Sequence, residues 1–395
     1  MIADRIPQIQ DALREAELDG WLFAVFQLND PISLDLLGLS GGHLVTRRCY
    51  YLVPVKGEPR KLVNRLEPAM LDALPGTTAS YTTWQEHRRE LAALLEGVKR
   101  LAAQYSPGNQ LPTVSRLDAG TADLVRESGI ELHSSAELVQ RFAATWDDEQ
   151  LAGHRRACVA LHELVSEAFR RVGDTLRRGA AIDEHAVQRF LLEGFERRGL
   201  WSESPPIVGV NAHSADPHYQ PTAESSSPIR SGDFLLIDLW AKERAPRSVY
   251  ADITWVASCA PAPSDRQREV FAAVASARDA AFALVESRYP RHPVRGFEVD
   301  RAARDTIEAA GYGRFFIHRT GHSIGITDHG QGANMDDLET HDERRLAPMT
   351  GFSIEPGIYL AGDFGVRSEI NVVLTPERAE ITGAAPQREL LTLLS

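Results

Sequence analysis

The sequence is poor in cysteine: only Cys49, Cys158 and Cys259 occur, odd in number and far apart. That argues against a disulfide framework and a cysteine zinc motif, and fits reduced, packed thiols of a cytoplasmic protein. No apolar run approaches the ~20 residues needed to cross a bilayer, so no membrane is expected as a partner. The opening segment, MIADRIPQIQ, is charged and lacks the apolar core of a signal peptide, which adds to the expectation of a cytoplasmic location. Basic residues are in deficit, with 43 Lys and Arg against 55 Asp and Glu, a net charge of −12. Such an acidic surface repels phosphate backbones and sets nucleic acid aside as a partner. Tandem repeats of short period and low-complexity tracts are absent. The Gly-rich segment TGHSIG lacks both the Lys-Ser/Thr ending of a P-loop and the dinucleotide GxGxxG spacing.

What remains is ordinary for a soluble globular enzyme, with 43% hydrophobic and 25% charged residues. A length of 395 residues suggests roughly two to three domains. Apolar spacing predicts a helix over 4–19 with Gly20 as its stop, a buried strand in WLFAVFQL, and a hairpin of CYYLVPV and PRKLVN around Gly57. An amphipathic helix is predicted for ELAALLEGVKRLAAQY (90–105), and short strands for LPTVSRL (111–117) and GIELHSS (129–135). The pattern changes near Thr145. A long helix follows from Trp146, with acids in its first turn, where they favour a helix N-terminus. A second helix runs from an Asp183 N-cap to Gly199, and the segment from Ile207 to Cys259 is β-rich. Ser264 and Gln267 form a capping box for a helix to about Tyr289, and another helix covers 294–310. The expected organisation is therefore α+β: a smaller α/β domain over 1–145 and a catalytic domain over 146–395.

Two pairs of strand runs carry the chemistry. FLLIDLWA (234–241) and SVYADITWVAS (248–258) are each interrupted by one acid, Asp238 and Asp252, 14 residues apart. GFSIEPGIYL (351–360) and GVRSEINVVLT (365–375) repeat the arrangement with Glu355 and Glu369, again 14 apart. A carboxylate inside an apolar strand is costly unless paired or bound to a cation. An even separation across an antiparallel hairpin can place both acids on one face. Four such carboxylates converging would repel one another, and divalent cations solve that problem. Between the hairpins lies HRTGHSIGITDHGQG, with His318, His322 and His329, and upstream is NAHSADPHYQP with His218. One imidazole in an oxygen-rich set shifts the preference toward Mn, Co or Zn over Ca. Singly, each residue has a bland reading: a strand Asp as a structural hydrogen-bonder, Glu355 before Pro356 as a turn residue, a lone His as packed or solvated. Jointly, two acid-bearing hairpins of equal spacing around a His-rich loop are hard to obtain by chance.

The set LIDLW, YADIT, RTGHSIG, IEPGIY and VRSEINVVL resembles the motifs of the pita-bread metallopeptidases, in the right order. The N-terminal part resembles the creatinase-type domain of the proline-specific branch, which methionine aminopeptidases generally lack. The resemblance implies a pita-bread (creatinase/aminopeptidase-type) catalytic domain holding two divalent metal ions, Mn2+ foremost with Co2+ or Zn2+ as alternatives. The ligands would be Asp238, Asp252, His322, Glu355 and Glu369. It further implies a metal-bridging hydroxide, with Glu355 as general base then acid and His218 and His329 flanking the scissile bond. His318 would shape the substrate pocket and Arg367 would orient Glu369. The position where prolidases place an arginine for the substrate carboxylate falls on His341, near Arg344 and Arg345. Two departures from the family pattern are Ser323 in place of a usual Gly and Trp255 in place of a frequent Arg.

The implied activity is that of a Xaa-Pro dipeptidase (prolidase), acting on proline-containing dipeptides or short peptides as a homodimer. The short N-terminal domain and the lack of a long C-terminal extension lean toward this over the alternative, a Xaa-Pro aminopeptidase acting on longer peptides. An inactive binding protein on the same fold is a third reading. Such proteins lose one or more ligands, and all five are present here.

Overall fold

In the computed structural model of the protein, residues 2–39 and 45–395 are described, with only the backbone given for Ile2 and Ala3. They fall into two compact units, Met1–Ala143 and Ala144–Ser395. In the first, β1 (Gly20–Val25), β2 (Cys49–Pro54), β3 (Arg60–Asn64), β4 (Thr77–Tyr81), β5 (Arg100–Ala103) and β6 (Glu131–Ser134) form a mixed sheet in the order β4-β3-β2-β1-β5-β6. The central strands are apolar throughout because both faces of the sheet are covered, as the buried Trp21, Leu22 and Phe23 of β1 illustrate.

Three expectations fail in this unit. The helix predicted for 90–105 is a helix over Trp84–Leu94 followed by the separate strand β5. Its Thr83 and Glu86 make a capping box, and Gly97, at φ +82, lies just past its end, in backbone that favours glycine. Leu101, Ala102 and Ala103, good helix formers in isolation, are fully buried between β1 and β6. Tertiary pairing overrides their local propensity. LPTVSRL is a run of turns, with Val114 N–H donating to Leu111 O and Ser115 N–H to Pro112 O. The first helix, Ile6–Glu15, ends before Gly20, which opens β1.

The second unit is built around two acid-bearing hairpins. A 30-residue helix, Asp148–Arg177, starts at an Asp147–Gln150 capping box. It lays buried Leu161, Leu164, Val165, Ala168 and Val172 against the sheet of the first hairpin. Each of these Leu and Val side chains contributes ~1.5–3 kcal/mol on burial. That hairpin is β7 (Phe234–Glu243) with β8 (Ala251–Ser258), antiparallel with Asp238 opposite Thr254 and Asp252 opposite Trp240. The two aspartates therefore share one face, as their even separation predicts. The helices Asp265–Arg288 and Gly296–Ala309 pack their apolar faces into the core of the second half.

The second hairpin differs from expectation in an informative way. Neither glutamate lies inside a strand. β9 (Thr350–Ile354) pairs with β12 (Ile370–Leu374), and beyond a break β10 (Gly357–Leu360) pairs with β11 (Phe364–Arg367). Ile354 faces Ile370 before the break and Gly357 faces Arg367 after it, so the register is unchanged and Glu355 and Glu369 stand opposite one another in the gap. Pro356 has no N–H to give to a ladder there. The freed backbone turns outward: Glu355 N–H donates to Thr320 O at 2.7 Å, and Glu369 N–H to Thr254 O at 3.3 Å. The break thus stitches this hairpin to the His322 segment on one side and to the first hairpin on the other.

Candidate metal centre

The stitched elements bring Asp238, Asp252, His322, Glu355 and Arg367 onto the wall of one cavity of about 740 Å³, together with His218, His318 and His329. Glu369 joins them from behind, within hydrogen-bond reach of Thr254. His322 is placed by its backbone: its N–H donates to Ser353 Oγ at 3.0 Å and its carbonyl accepts from Ser353 N–H at 2.9 Å. The same Ser353 hydroxyl donates to Glu355 Oε1 at 3.0 Å. Neighbouring Gly321 is obligatory for this approach, since a Cβ there would sit 2.0 Å from Ser353 O.

His322 Nδ1 lies 3.1 Å from the Ser323 carbonyl, which can only accept, so Nδ1 carries a proton. Nε2 then faces Glu355 Oε1 at 3.3 Å and Asp252 Oδ2 at 3.5 Å. At those distances a positive charge, a second ring proton in the metal-free chain or a metal ion in its place, must lie between the nitrogen and the two carboxylates. The carboxylates make the same demand. Asp252 and Glu369 are 5% and 3% exposed, yet Asp252 Oδ1 and Glu369 Oε1 have no hydrogen-bond partner among the described residues. Burial, and then the surrounding carboxylates, push both groups well above the usual carboxylate range. Burial also raises Asp238, with the Arg367 guanidinium pulling against it. For Glu355 burial is outweighed by the charges of His322 and Arg367, which hold it below its ordinary value. Asp252, His322 and Glu369 offer ligand atoms within 4.8 Å of one another. Orphaned oxygens, an inward-facing imidazole nitrogen and a hard-to-borderline donor set all fit divalent ions.

Not every expected residue goes where it was expected. Arg367 pairs with Asp238, not Glu369, and also donates to Thr254 Oγ1 and Tyr359 OH, each at 3.0 Å. His341 is absent from the cavity wall. It is half-exposed, held by Asp337 at 2.6 Å, with its ring 4.4 Å from that of Phe297. The tethering Asp337 is itself nearly buried, so the position inferred for substrate binding is a half-exposed ion pair outside the cavity lining. Arg344 beside it is buried and committed to Asp342. His318 has both nitrogens engaged, by Arg319 O at 2.6 Å and Tyr359 OH at 2.8 Å. His218 lies on an exposed loop at the cavity wall, and the His329 ring stands 4.4 Å from that of His322, edge to face.

Three side chains at the site were not anticipated. Thr254 links Asp238, Glu369 and Arg367, and its position opposite Asp238 in an antiparallel pair was the signal for it. Tyr359 joins His318 to Arg367. Asp328 lines the cavity and offers a ligand atom near those of His322 and His329. Burial pushes its carboxyl up to about 6.

Comparison with known proteins gives a consistent picture. Residues 153–376 match the family model for metallopeptidase family M24. A probable dipeptidase PepE of Mycobacterium tuberculosis is 31% identical over 238 residues, 56% of this chain and 60% of that protein. A Xaa-Pro dipeptidase of Pyrococcus furiosus is 34% identical over 245 residues, 62% of this chain and 64% of that protein. The matched segment thus spans less than two thirds of either relative. In three dimensions the crystal structure of dipeptidase PepE from Mycobacterium ulcerans is similar with a TM-score of 0.73 at 24% identity, covering 99% of this chain and 97% of that one, a likeness of fold.

Proposed function

The chain belongs to metallopeptidase family M24, and from that premise we propose that it is a Xaa-Pro dipeptidase, hydrolysing the peptide bond before proline in dipeptides. Asp238, Asp252, His322, Glu355 and Glu369 would hold two divalent ions, Mn2+ foremost with Co2+ or Zn2+ as alternatives. Bound there, such ions supply Lewis-acid polarisation and a water of near-neutral pKa. The observation that carries the reading is the pair of buried, unpartnered oxygens, Asp252 Oδ1 and Glu369 Oε1, beside an imidazole nitrogen aimed at carboxylates.

The remaining chemistry falls to this chain's side chains. Glu355 stays ionised near neutral pH because its carboxyl is held low, so it can take a proton from the attacking water at Oε. It then returns that proton to the proline nitrogen, which leaves as an amine. In the metal-free chain the charge of a protonated His322, together with burial, pushes His329 down to about 3; a divalent ion held by His322 in place of that proton would act in the same direction, so the ring is neutral and offers an N–H to the oxygen of the tetrahedral intermediate. His218, on the opposite loop, would do the same. His318, locked by two hydrogen bonds, forms a rigid wall for the proline ring. That ring identifies the substrate because an X–Pro bond has no N–H for a peptidase to grip. Residues 1–145 are taken as a creatinase-like domain and 146–395 as the catalytic one. A cytoplasmic homodimer without nucleic acid or membrane partners completes the proposal.

An activity profile over Xaa-Pro dipeptides, Xaa-Pro-Yaa tripeptides and non-proline dipeptides, with chelator and with Mn2+, tests this reading. The expected result is chelator-sensitive, Mn2+-restored cleavage of Xaa-Pro. Preference for the tripeptide would turn the assignment to a Xaa-Pro aminopeptidase, and undiminished cleavage by metal-free protein would refute the metal chemistry. Glu355→Ala should fold and lose about 10²-fold or more in kcat. Near-normal kcat would remove Glu355 from its role.

A further inference from the structure

Among the described residues the cavity wall carries six basic side chains: His218, His318, Arg319, His322, His329 and Arg367. Arg367 is committed to Asp238, Thr254 and Tyr359, and both nitrogens of His318 are occupied. Arg319 is different. Its backbone is fixed at both ends, the N–H donating to Glu339 Oε1 at 3.3 Å and the carbonyl accepting from His318 Nδ1. The next residue, Thr320, accepts the Glu355 N–H, so this backbone is tied directly to the proposed base. Yet the Arg319 guanidinium makes no hydrogen bond or ion pair with any described residue. Its charge lowers the carboxyls of both Glu355 and Asp328, as expected of a head group sharing their space. A half-buried guanidinium with five unused donors on the wall of an anion-lined cavity is poised for a planar anion from outside the chain.

We propose that Arg319 receives the free C-terminal carboxylate of the substrate, and that this contact makes the enzyme a dipeptidase. The role assigned by sequence to His341 passes to a residue in the His318–His322 segment itself. In a Xaa-Pro dipeptide the carboxylate is carried on the carbon bonded to the scissile nitrogen. Its anchor must therefore stand close beside the reacting centre, as Arg319 does, next to His318 and three residues before His322. A longer peptide presents a neutral amide at that point and gains nothing from the guanidinium. This inference rests on the reading of the chain as a Xaa-Pro hydrolase.

The test compares Ala-Pro, Ala-Pro amide and Ala-Pro-Ala on Mn2+-loaded wild type, Arg319→Gln and Arg319→Lys, alongside calorimetric binding of proline and prolinamide. Wild type should favour Ala-Pro over the amide by about 10- to 100-fold in kcat/KM, the scale of a bidentate charge-assisted contact. Arg319→Gln should erase that preference mainly through KM, with metal content retained, and Arg319→Lys should recover part of it. Proline binding should weaken in Arg319→Gln while prolinamide binding does not. The proposal is overturned if wild type shows no carboxylate preference, or if Arg319→Gln keeps the preference or slows all substrates equally. If no Xaa-Pro substrate is cleaved but proline binding still depends on Arg319, the hydrolase reading fails and the anion site stands. If proline binding ignores Arg319 as well, both fall.

Discussion

The hydroxyl of Thr254 touches three charged groups at once. It accepts from Arg367 Nε at 3.0 Å and lies 2.7 Å from Asp238 Oδ1 and 2.9 Å from Glu369 Oε2. With one hydrogen it can donate to only one carboxylate at a time. Its work is to hold two acids in register while sharing the cost of their burial. Thr254→Val keeps the shape and removes the hydroxyl, leaving all three partners short in a buried site. We predict about 10- to 100-fold weaker Mn2+ binding with little change in fold, the usual scale for groups that orient metal ligands. Calorimetric titration of stripped protein checks this, and an unchanged Kd would show that the carboxylates need no such clamp. At this scale the sequence was uneven. An acid inside an apolar run announces itself, because burial makes it expensive. A threonine in a strand does not, since threonine is at home there. His341 was placed by alignment alone, and side-chain tethering to Asp337 is something spacing cannot reveal.

Elements tell a related story. The first hairpin was legible because its period-2 register follows from even spacing and is kept by an uninterrupted ladder. The second was read as two continuous strands because the apolar runs on either side of Glu355 and Glu369 look alike. The deciding detail is Pro356, which breaks the ladder and sends two backbone N–H groups to Thr320 and Thr254. That break is what draws separate elements into one site. In the first unit the 90–105 segment misled for the opposite reason: local propensity favoured helix, and burial between β1 and β6 decided for strand. The close approach at Gly321 belongs to this scale too. Gly321→Ala would drive a Cβ into Ser353 O, so the His322 segment must shift away from its neighbouring strand. Destabilisation of about 1–3 kcal/mol is expected, typical of overpacking. Chemical denaturation of metal-free protein would register it. A variant as stable as wild type, with normal metal affinity, would show the contact to be slack.

Across the whole molecule, buried charge couples stability to metal binding. In the metal-free fold Asp252 and Glu369 are raised, so they hold protons to a higher pH than in the unfolded chain. Their contribution to stability is present at low pH and lost as pH rises through the raised values. A divalent ion must displace those protons, so its affinity grows in the same direction. The rise in Tm on adding Mn2+ should therefore be larger at about pH 8 than at about pH 6. A gain independent of pH would mean that the ion binds elsewhere. The most direct test is to count bound metal by equilibrium dialysis of stripped protein against Mn2+, wild type beside Glu369→Gln. About two tightly held ions per wild-type chain are expected, with a clear loss in the variant. Wild-type protein that stays folded and binds none, or a variant that binds as many as wild type, would contradict the proposed metal centre.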